Sequence, residues 1–156
     1  MRSRGFTIIE LVITLAILGL LATAAMPLAQ LIAKREKEAE LRSALRDIRE
    51  GLDAYRAAAL GGHIKLELGA SGYPPDLKSL YAGVEDAASE KKKNLYFMRR
   101  IPRDPFFPDS SVPAEETWGL RSYQSPPDDP QQGDDVYDVH SLSNTKGLNG
   151  VPYREW

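Results

Sequence analysis

The hydrophobic positions of the chain form one unbroken run near the N-terminus and one periodic stripe after it. The run from Leu11 to Ala29 contains no charged residue and is close to the ~20 residues that a helix needs to cross a bilayer. The stripe recurs at spacings of four, three, four, three and four, which place its members on one face of a helix. Its members are Leu41, Leu45, Ile48, Leu52, Tyr55 and Ala59. The pattern therefore predicts a membrane-spanning helix that continues as an amphipathic helix.

Charged residues of both signs fill the other faces of the amphipathic part. Among them, Asp53 is predicted to pair locally with Arg49 or Arg56. The Gly61-Gly62 pair is predicted to end the helix. The complete helix would be on the order of 80 Å long, with one half in lipid and the other half laid along a small head domain.

The remaining residues predict a small head built from short elements. Gly72-Tyr73-Pro74-Pro75-Asp76 indicates a turn into a short helix that begins at Pro75 or Asp76. The apolar face of this helix would consist of Leu77, Leu80 and Val84. Two strand-like runs, 118–123 and 135–142, flank a loop rich in Pro, Asp and Gln and predict an antiparallel hairpin. The predicted fold class is therefore α+β, with a long N-terminal α-helix packed on a head of short helices and a small antiparallel sheet.

Composition argues against several classes of function. The formal net charge of −2 does not suggest a protein that binds nucleic acid, which would need a basic face. The chain has no cysteine, which excludes disulfides, thiolate nucleophiles and Cys-based zinc sites. His63 and His140 are too isolated for a histidine-rich metal centre and are expected to be surface or structural residues. The Lys91-Lys92-Lys93 run is expected to be a solvated turn or helix end.

The N-terminus carries the most specific chemistry. Arg2 and Arg4 precede the apolar run and would hold that end in the cytoplasm. A secretory signal would share these features, and residues 22–25 could be its small-residue cleavage site. The apolar stretch continues to Ala29, however, and Glu10 stands at its entrance. Because an acid in a membrane helix costs on the order of 2.5–3.5 kcal/mol at the bilayer centre, Glu10 needs a partner, for which the new α-amino group of a neighbouring subunit is suitable.

These residues resemble a known processing signal. Gly5-Phe6-Thr7-Ile8-Ile9-Glu10-Leu11, followed by an apolar helix, is similar to the class III signal of type IV pilins and pseudopilins. The resemblance implies that a prepilin peptidase cuts between Gly5 and Phe6 and methylates the new N-terminal Phe6. It also implies that Glu10, then the fifth residue, acts in assembly. Pro27, which costs ~3 kcal/mol inside a helix, is either a simple kink or a place where the helix melts on filament assembly.

The resemblance also implies how the chain is organised. The segments would be a cleaved leader (1–5), a transmembrane and assembly helix (6–29), its amphipathic continuation (30–62) and a periplasmic head (63–156). The protein would cross the inner membrane once and need no cofactor. Its partners would be the prepilin peptidase, an inner-membrane assembly platform, minor pseudopilins and further copies of itself in a filament.

The head most resembles the major (G-type) pseudopilin of type II secretion systems. The matching elements are Gly72-Tyr73-Pro74, Arg99-Arg100-Ile101-Pro102, Asp104-Pro105, Trp118-Gly119, the strand with Tyr123, and Asp138-Val139-His140-Ser141-Leu142 ahead of Trp156. This resemblance implies a short periplasmic filament that helps to drive folded substrates through an outer-membrane channel. One departure is the segment Phe106 to Thr117, which intervenes between Asp-Pro and Trp-Gly and is expected to be a surface insertion.

A second departure concerns calcium. The family's C-terminal loop holds a calcium ion with aspartates that follow the Ser-Leu strand, together with backbone carbonyls. Residues 143–150 contain no aspartate, and Lys146 opposes a cation. We therefore predict no metal there and expect hydrogen bonds or packing of Tyr153 and Trp156 to hold the tail. The aspartates of the loop Asp128–Asp135 are a weaker candidate for calcium than for solvation.

Two other functions remain open from the sequence. A type IV pilus subunit for adhesion, motility or DNA uptake would share the N-terminus, although many such pilins have a C-terminal disulfide loop. A membrane-anchored periplasmic enzyme would need a nucleophile with a base, or an acid pair in a cleft. The sequence has no Gly-x-Ser-x-Gly motif, paired histidines or phosphate loop, so no catalytic residue is predicted.

Overall fold

The computed structural model describes residues 5–156; residues 1–4, which include the leader arginines Arg2 and Arg4, and the side chain of Ala24 lie outside it. One long helix and two small sheets make up the described part, so the predicted α+β class is confirmed. The elements are α1 (Ile8–Leu60), β1 (Val84–Glu85), β2 (Asn94–Leu95), β3 (Trp118–Arg121), β4 (Asp138–Ser141) and 3-10 helices at Leu77–Leu80, Ala114–Thr117 and Tyr153–Glu155. The chain divides between Lys37 and Glu38 into two compact units, an N-terminal unit that ends at Lys37 and a second unit, Glu38–Trp156.

The N-terminal unit begins with a capped helix. The backbone N–H of Glu10 donates to the hydroxyl of Thr7 at 3.3 Å, and the N–H of Leu11 donates to the carbonyl of Thr7 at 3.1 Å. The side chain of Thr7 thus satisfies one donor that the first turn of a helix cannot satisfy internally, while its carbonyl accepts the first regular helical hydrogen bond. The helix then continues through Pro27 without interruption.

The apolar part of α1 is exposed on every face. All described side chains from Phe6 to Gln30 are exposed. The hydroxyls of Thr14 and Thr23 donate to the carbonyls of Leu11 and Leu20 at 2.9 and 2.7 Å. These bonds hide the polar groups of the run within the helix itself. By length and composition, α1 is suited to cross a membrane.

The core of the head forms on the predicted stripe of α1. All six stripe residues are buried, with exposures between 0 and 6%. Glu38 extends the stripe by one turn toward the N-terminus and is only 4% exposed. Ala44 of α1 is also buried, and the head contributes the remaining buried hydrophobic residues, namely Ile64, Tyr73, Leu77, Leu80, Ile101, Trp118, Val136, Val139 and Tyr153. The stripe is therefore one wall of a core that the short elements of the head complete.

The helix ends where the glycine pair predicts. The N–H of Gly61 donates to the carbonyl of Ala57 at 2.9 Å, and the N–H of His63 donates to that of Ala58 at 3.0 Å. Gly62 has a φ of 81°, the left-handed conformation that a glycine adopts without steric cost at the end of a helix. The chain then turns back toward the head.

The arginines of the amphipathic part turn to the head instead of pairing with Asp53, so that local prediction is wrong. Nε of Arg49 donates to the carboxylate of Asp138 at 2.8 Å. Nη1 of Arg56 donates to the hydroxyl of Tyr73 at 3.3 Å. Long-range partners therefore replace the short-range pair that helical spacing allows.

The predicted hairpin is present with shorter strands. β3 and β4 are antiparallel, and their register pairs Trp118 with Ser141 and Arg121 with Asp138. The strands cover four residues each instead of the six and eight in the predicted runs. Beyond β3 and β4, several flanking N–H groups bond elsewhere: that of Val136 donates to the carbonyl of Pro74 at 2.8 Å, and that of Ser122 to the carbonyl of Gln131 at 2.9 Å.

The short helix predicted in the first half of the head is present but ends earlier than expected. Asp76 caps the short helix as expected, and its carboxylate accepts from the N–H of Ser79 at 2.8 Å. The helix is a single 3-10 turn, and Val84 lies beyond it in β1, paired with Leu95 of β2. Gly83, with a φ of 92°, separates the turn from the strand. The lysine run lies in the exposed connection between β1 and β2, as predicted.

The segment from Phe106 to Thr117 is only partly a surface insertion, so this prediction is corrected at both ends. Residues 108–111 are exposed. Phe106, however, stacks on Tyr153 with ring centroids 4.0 Å apart. Thr117 is fully buried, and its hydroxyl accepts from the N–H of Asp104 at 3.1 Å. Buried partners thus tie both ends into the core and leave the middle in solvent.

The stripe gives a direct test of the core. We predict that Leu52→Ala lowers the free energy of unfolding of the head by about 2–5 kcal/mol, because it leaves a cavity in a well-packed site. Leu60→Ala is the matched control on the same helix, since Leu60 is 68% exposed and Leu52 only 1%. Its effect should stay within about 0.5 kcal/mol. Urea unfolding of the full chain in detergent micelles measures both, and equal effects would contradict the core assignment.

Candidate functional site

The predicted cleavage position lies at an accessible place in the chain. Gly5 and Phe6 precede α1 and lie outside regular secondary structure. The side chain of Phe6 is 82% exposed. Both residues are therefore open to a peptidase, and neither is fixed by helical hydrogen bonds.

Glu10 occupies the first turn of α1 and is exposed. The positive end of the helix dipole favours a carboxylate there by about 0.3–1 kcal/mol. The same charge costs about 2.5–3.5 kcal/mol at the centre of a bilayer and less near its surface. A carboxylate covered by apolar surroundings would need an opposite charge, which the helix dipole supplies only in part.

Pro27 lies within α1 and has no N–H to donate. The carbonyl of Thr23, four residues earlier, therefore lacks the hydrogen bond that a helix normally supplies. This makes the turn between Thr23 and Pro27 a weak point of the apolar segment.

The C-terminal loop of the head closes on itself through its backbone. Lys146 and Pro152 form an antiparallel bridge. The N–H of Gly147 donates to the carbonyl of Val151 at 2.8 Å, and the N–H of Tyr153 donates to that of Thr145 at 3.1 Å. The loop is thus a tight hairpin in which the carbonyls of Thr145, Gly147 and Val151 accept from backbone N–H groups.

Glu38 of α1 fastens this hairpin to the helix. Its Oε1 accepts from the N–H of Leu148 at 2.7 Å and from the hydroxyl of Tyr153 at 2.9 Å. Tyr153 is fully buried, and burial, reinforced by the hydrogen bond to Glu38, raises the pKa of its phenol well above the ordinary value. The phenol therefore stays protonated and remains a donor to the carboxylate.

Two arginines of α1 hold the end of the tail. The guanidinium of Arg42 lies 4.3 Å from the centre of the Trp156 ring and 3.8 Å from the carboxylate of Glu38. Nη2 of Arg49 donates to the carbonyl oxygen of Trp156 at 2.9 Å. Tyr153 and Trp156 contact each other edge to face at 5.0 Å. The expectation that Tyr153 and Trp156 secure the tail is therefore confirmed.

Comparison with known proteins agrees with this description. The family described as the prokaryotic N-terminal methylation motif matches residues 1–26. The type II secretion system core protein G of Klebsiella pneumoniae is 29% identical over 142 residues, which cover 86% of this chain and 93% of that protein. The same core protein of Dickeya chrysanthemi is 28% identical over an alignment of 160 residues, which covers 96% and 95%. No solved structure shows significant similarity.

The resemblance to the type IV pilin and pseudopilin family is confirmed. The motif match contains Gly5, Phe6 and Glu10, and the similarity to core protein G extends through the head. The comparisons thus link both units of the chain to pilin-like proteins.

The calcium ion that this family resemblance implies does not fit the C-terminal loop. Calcium takes six to eight oxygen ligands, usually with carboxylates among them. Residues 143–150 supply no carboxylate. The carbonyls of Thr145, Gly147 and Val151 already accept from backbone N–H groups. The nearby acid, Glu38, already accepts two donors on one oxygen.

The aspartates of the loop Asp128–Asp135 do not form an alternative metal site in the structure. Asp135 accepts from the N–H of Tyr123 at 2.8 Å and from the hydroxyl of Ser71. Asp129 accepts from the side-chain amide of Gln131 at 2.9 Å. Within residues 5–156, no three His, Asp or Glu side chains are grouped as metal ligands would be.

The histidines lie apart and have separate structural surroundings. His63 is exposed, and its Nδ1 lies 3.0 Å from the carboxylate of Asp86, whose pKa this hydrogen bond lowers. His140 lies in β4 over Gly119, and burial lowers its pKa. Neither histidine joins the tail contacts of Glu38.

Sequence reasoning missed Glu38 and Arg49 as tail-holding residues. A signal for Glu38 was present, because it precedes Leu41 by three residues and so continues the apolar stripe. Arg49 offered no such signal, since its partners lie 89 and 107 residues further along the chain.

Proposed function

We propose that the protein is a structural subunit of the periplasmic pseudopilus of a type II secretion system. A prepilin peptidase would process it, and it would assemble with further copies through α1. The assembly platform of the inner membrane and minor pseudopilins would be its other partners. One observation carries this proposal. The first turn of α1 contains a single acid, Glu10, and the apolar part of the helix that follows it is exposed.

The exposed helix requires a non-aqueous surrounding. A continuous apolar surface of this size is unstable in water, so lipid would cover it in the membrane and neighbouring helices would cover it in a filament. The head, which has its own core, would remain in the periplasm. Arg2 and Arg4 would keep the leader in the cytoplasm.

Glu10 would set the register of assembly. After cleavage, the α-amino group of Phe6 becomes a positive charge at the start of the mature chain. The carboxylate of one subunit and the amino group of the next would neutralise each other between apolar helices. Such a pair favours one axial position of the subunits over its neighbours, since any other position leaves both charges unpaired.

Pro27 would allow α1 to adapt on leaving the membrane. The carbonyl of Thr23 is already without a helical donor, so unwinding this turn sacrifices fewer hydrogen bonds than unwinding any turn without a proline. We propose local unwinding here, and not a fixed kink, as the role of this residue.

The first prediction concerns processing. Mass spectrometry of the protein purified from membranes should show loss of Met1 to Gly5 and one methyl group, of about 14 Da, on Phe6. The Gly5→Leu variant should retain the leader, because the peptidase would meet a side chain at the cleaved bond. A mature wild-type chain that keeps its first five residues, or that lacks the apolar helix, would exclude this proposal.

The second prediction concerns Glu10. Glu10→Gln should be cleaved normally but should lower filament yield by at least about 100-fold, because losing one partner of a buried pair costs about 3–5 kcal/mol. Glu36→Gln, an exposed acid further along the same helix, is the control and should assemble normally. Sheared-filament yield measured by immunoblot compares the two. Normal filaments from Glu10→Gln would remove the pairing mechanism.

The third prediction concerns Pro27. In wild-type filaments, the amides around residues 23–27 should exchange hydrogen faster than they do in the membrane form. Pro27→Ala restores the missing hydrogen bond and should stabilise the helix by up to about 3 kcal/mol, which slows this exchange. Leu28→Ala, at an exposed neighbouring position, should not slow it. Equal protection of wild-type residues 23–27 in both states would indicate a rigid kink instead.

A further inference from the structure

Three side chains on one face of α1 hold the C-terminal tail. Glu38, Arg42 and Arg49 are spaced by four and seven residues, which places them close to one line along the helix. Each contacts a different part of the tail: Glu38 the loop, Arg42 the ring of Trp156, and Arg49 the carbonyl of Trp156. The tail is therefore attached along the helix and not at a single point.

One carboxylate oxygen of Glu38 accepts hydrogen bonds from two separate parts of the tail. Its two donors lie five residues apart, Leu148 within the turn of the hairpin and Tyr153 after it. One carboxylate oxygen thus fixes both the turn and the returning segment. Removing the carboxylate would leave the hydroxyl of the fully buried Tyr153 without its acceptor, which is strongly unfavourable, and would release the N–H of the exposed Leu148 from the helix.

The turn itself is shaped to close without an ion. Gly147 packs under the ring of Trp156, where a Cβ would lie 2.5 Å from a ring carbon and 2.7 Å from Oδ1 of Asn149. Asn149 accepts from the N–H of Val151 at 3.1 Å. The ring of Trp156 and the side chain of Asn149 therefore fill the space beside Gly147, and the loop closes through hydrogen bonds of its own.

We propose that Glu38 is the latch of the C-terminal loop and that it replaces a metal ion, so that the head folds and keeps its tail ordered without calcium. The polarity of the attachment is reversed relative to a calcium site: the loop contributes donors, and the helix contributes the anion. This inference concerns the head and stands whether or not the subunit forms the proposed filament.

The first test measures calcium directly on the full chain in detergent micelles. A site occupied at about 1 mM calcium with micromolar affinity would raise the unfolding temperature by several degrees. We expect the midpoints in calcium, in EGTA and in an equal concentration of magnesium to agree within about 1 °C. A rise that calcium produces and magnesium does not would overturn the proposal.

The second test measures the latch by amide hydrogen exchange of residues 143–156. Glu38→Ala should increase exchange at Leu148 by about tenfold or more, and Glu38→Gln, which keeps an acceptor oxygen, should restore part of the protection. Glu40→Ala, at an exposed position two residues away, is the control and should leave exchange unchanged. Protection of Leu148 that survives Glu38→Ala would overturn the latch.

Tyr153→Phe keeps the test decisive if Glu38→Ala does not fold. It removes only the hydroxyl and should also loosen the tail. Because both residues belong to one contact, the double variant with Glu38→Leu, which has no acceptor oxygen and is close to Glu in size, should loosen the tail by clearly less than the product of the two single effects. Fully multiplicative effects would show that the residues act independently and would contradict the latch.

Discussion

The head depends on burying the stripe of α1. Its two sheets have two strands each, and a two-stranded ribbon is marginal on its own in water. Burial of a large apolar side chain contributes about 1.5–3 kcal/mol, and Leu41, Ile48 and Leu52 are all essentially inaccessible. The short elements therefore gain order from packing on the helix as well as from their contacts with one another. Any change that tilts or unwinds α1 after Glu38 would disrupt this core, and the tail contacts depend on the core being intact.

The same helix has two different kinds of surface along its length. Up to Gln30 its side chains are exposed and almost all apolar or small, whereas after Glu38 it has one buried stripe and charged faces. A single continuous helix can satisfy its backbone in both settings, because its hydrogen bonds are internal. The difference lies in the side chains alone, which is why the pattern of the sequence records it so clearly.

This explains what could be predicted from sequence. Helical periodicity identified every stripe residue, and the glycine pair located the end of α1. The β1–β2 ribbon was missed because two-residue strands are too short to show alternation. Glu38 and Arg49 were read as two surface charges among many, since their partners lie about 90 to 115 residues away in sequence. Phe106, likewise, looked solvent-bound because only the fold brings Tyr153 to it.

The tail contacts also show how a loop without aspartates can be held in one conformation. A loop that binds calcium gathers several anions and becomes stable only when the cation neutralises them. Here the loop presents an N–H and a phenol instead, so one helix carboxylate satisfies it without any net gathering of charge. Arg42 lies near enough to Glu38 to offset its burial while its guanidinium packs on Trp156. A loop without carboxylates and a buried acid on the helix thus complement each other, since the acid accepts the two donors that the loop and the returning segment present.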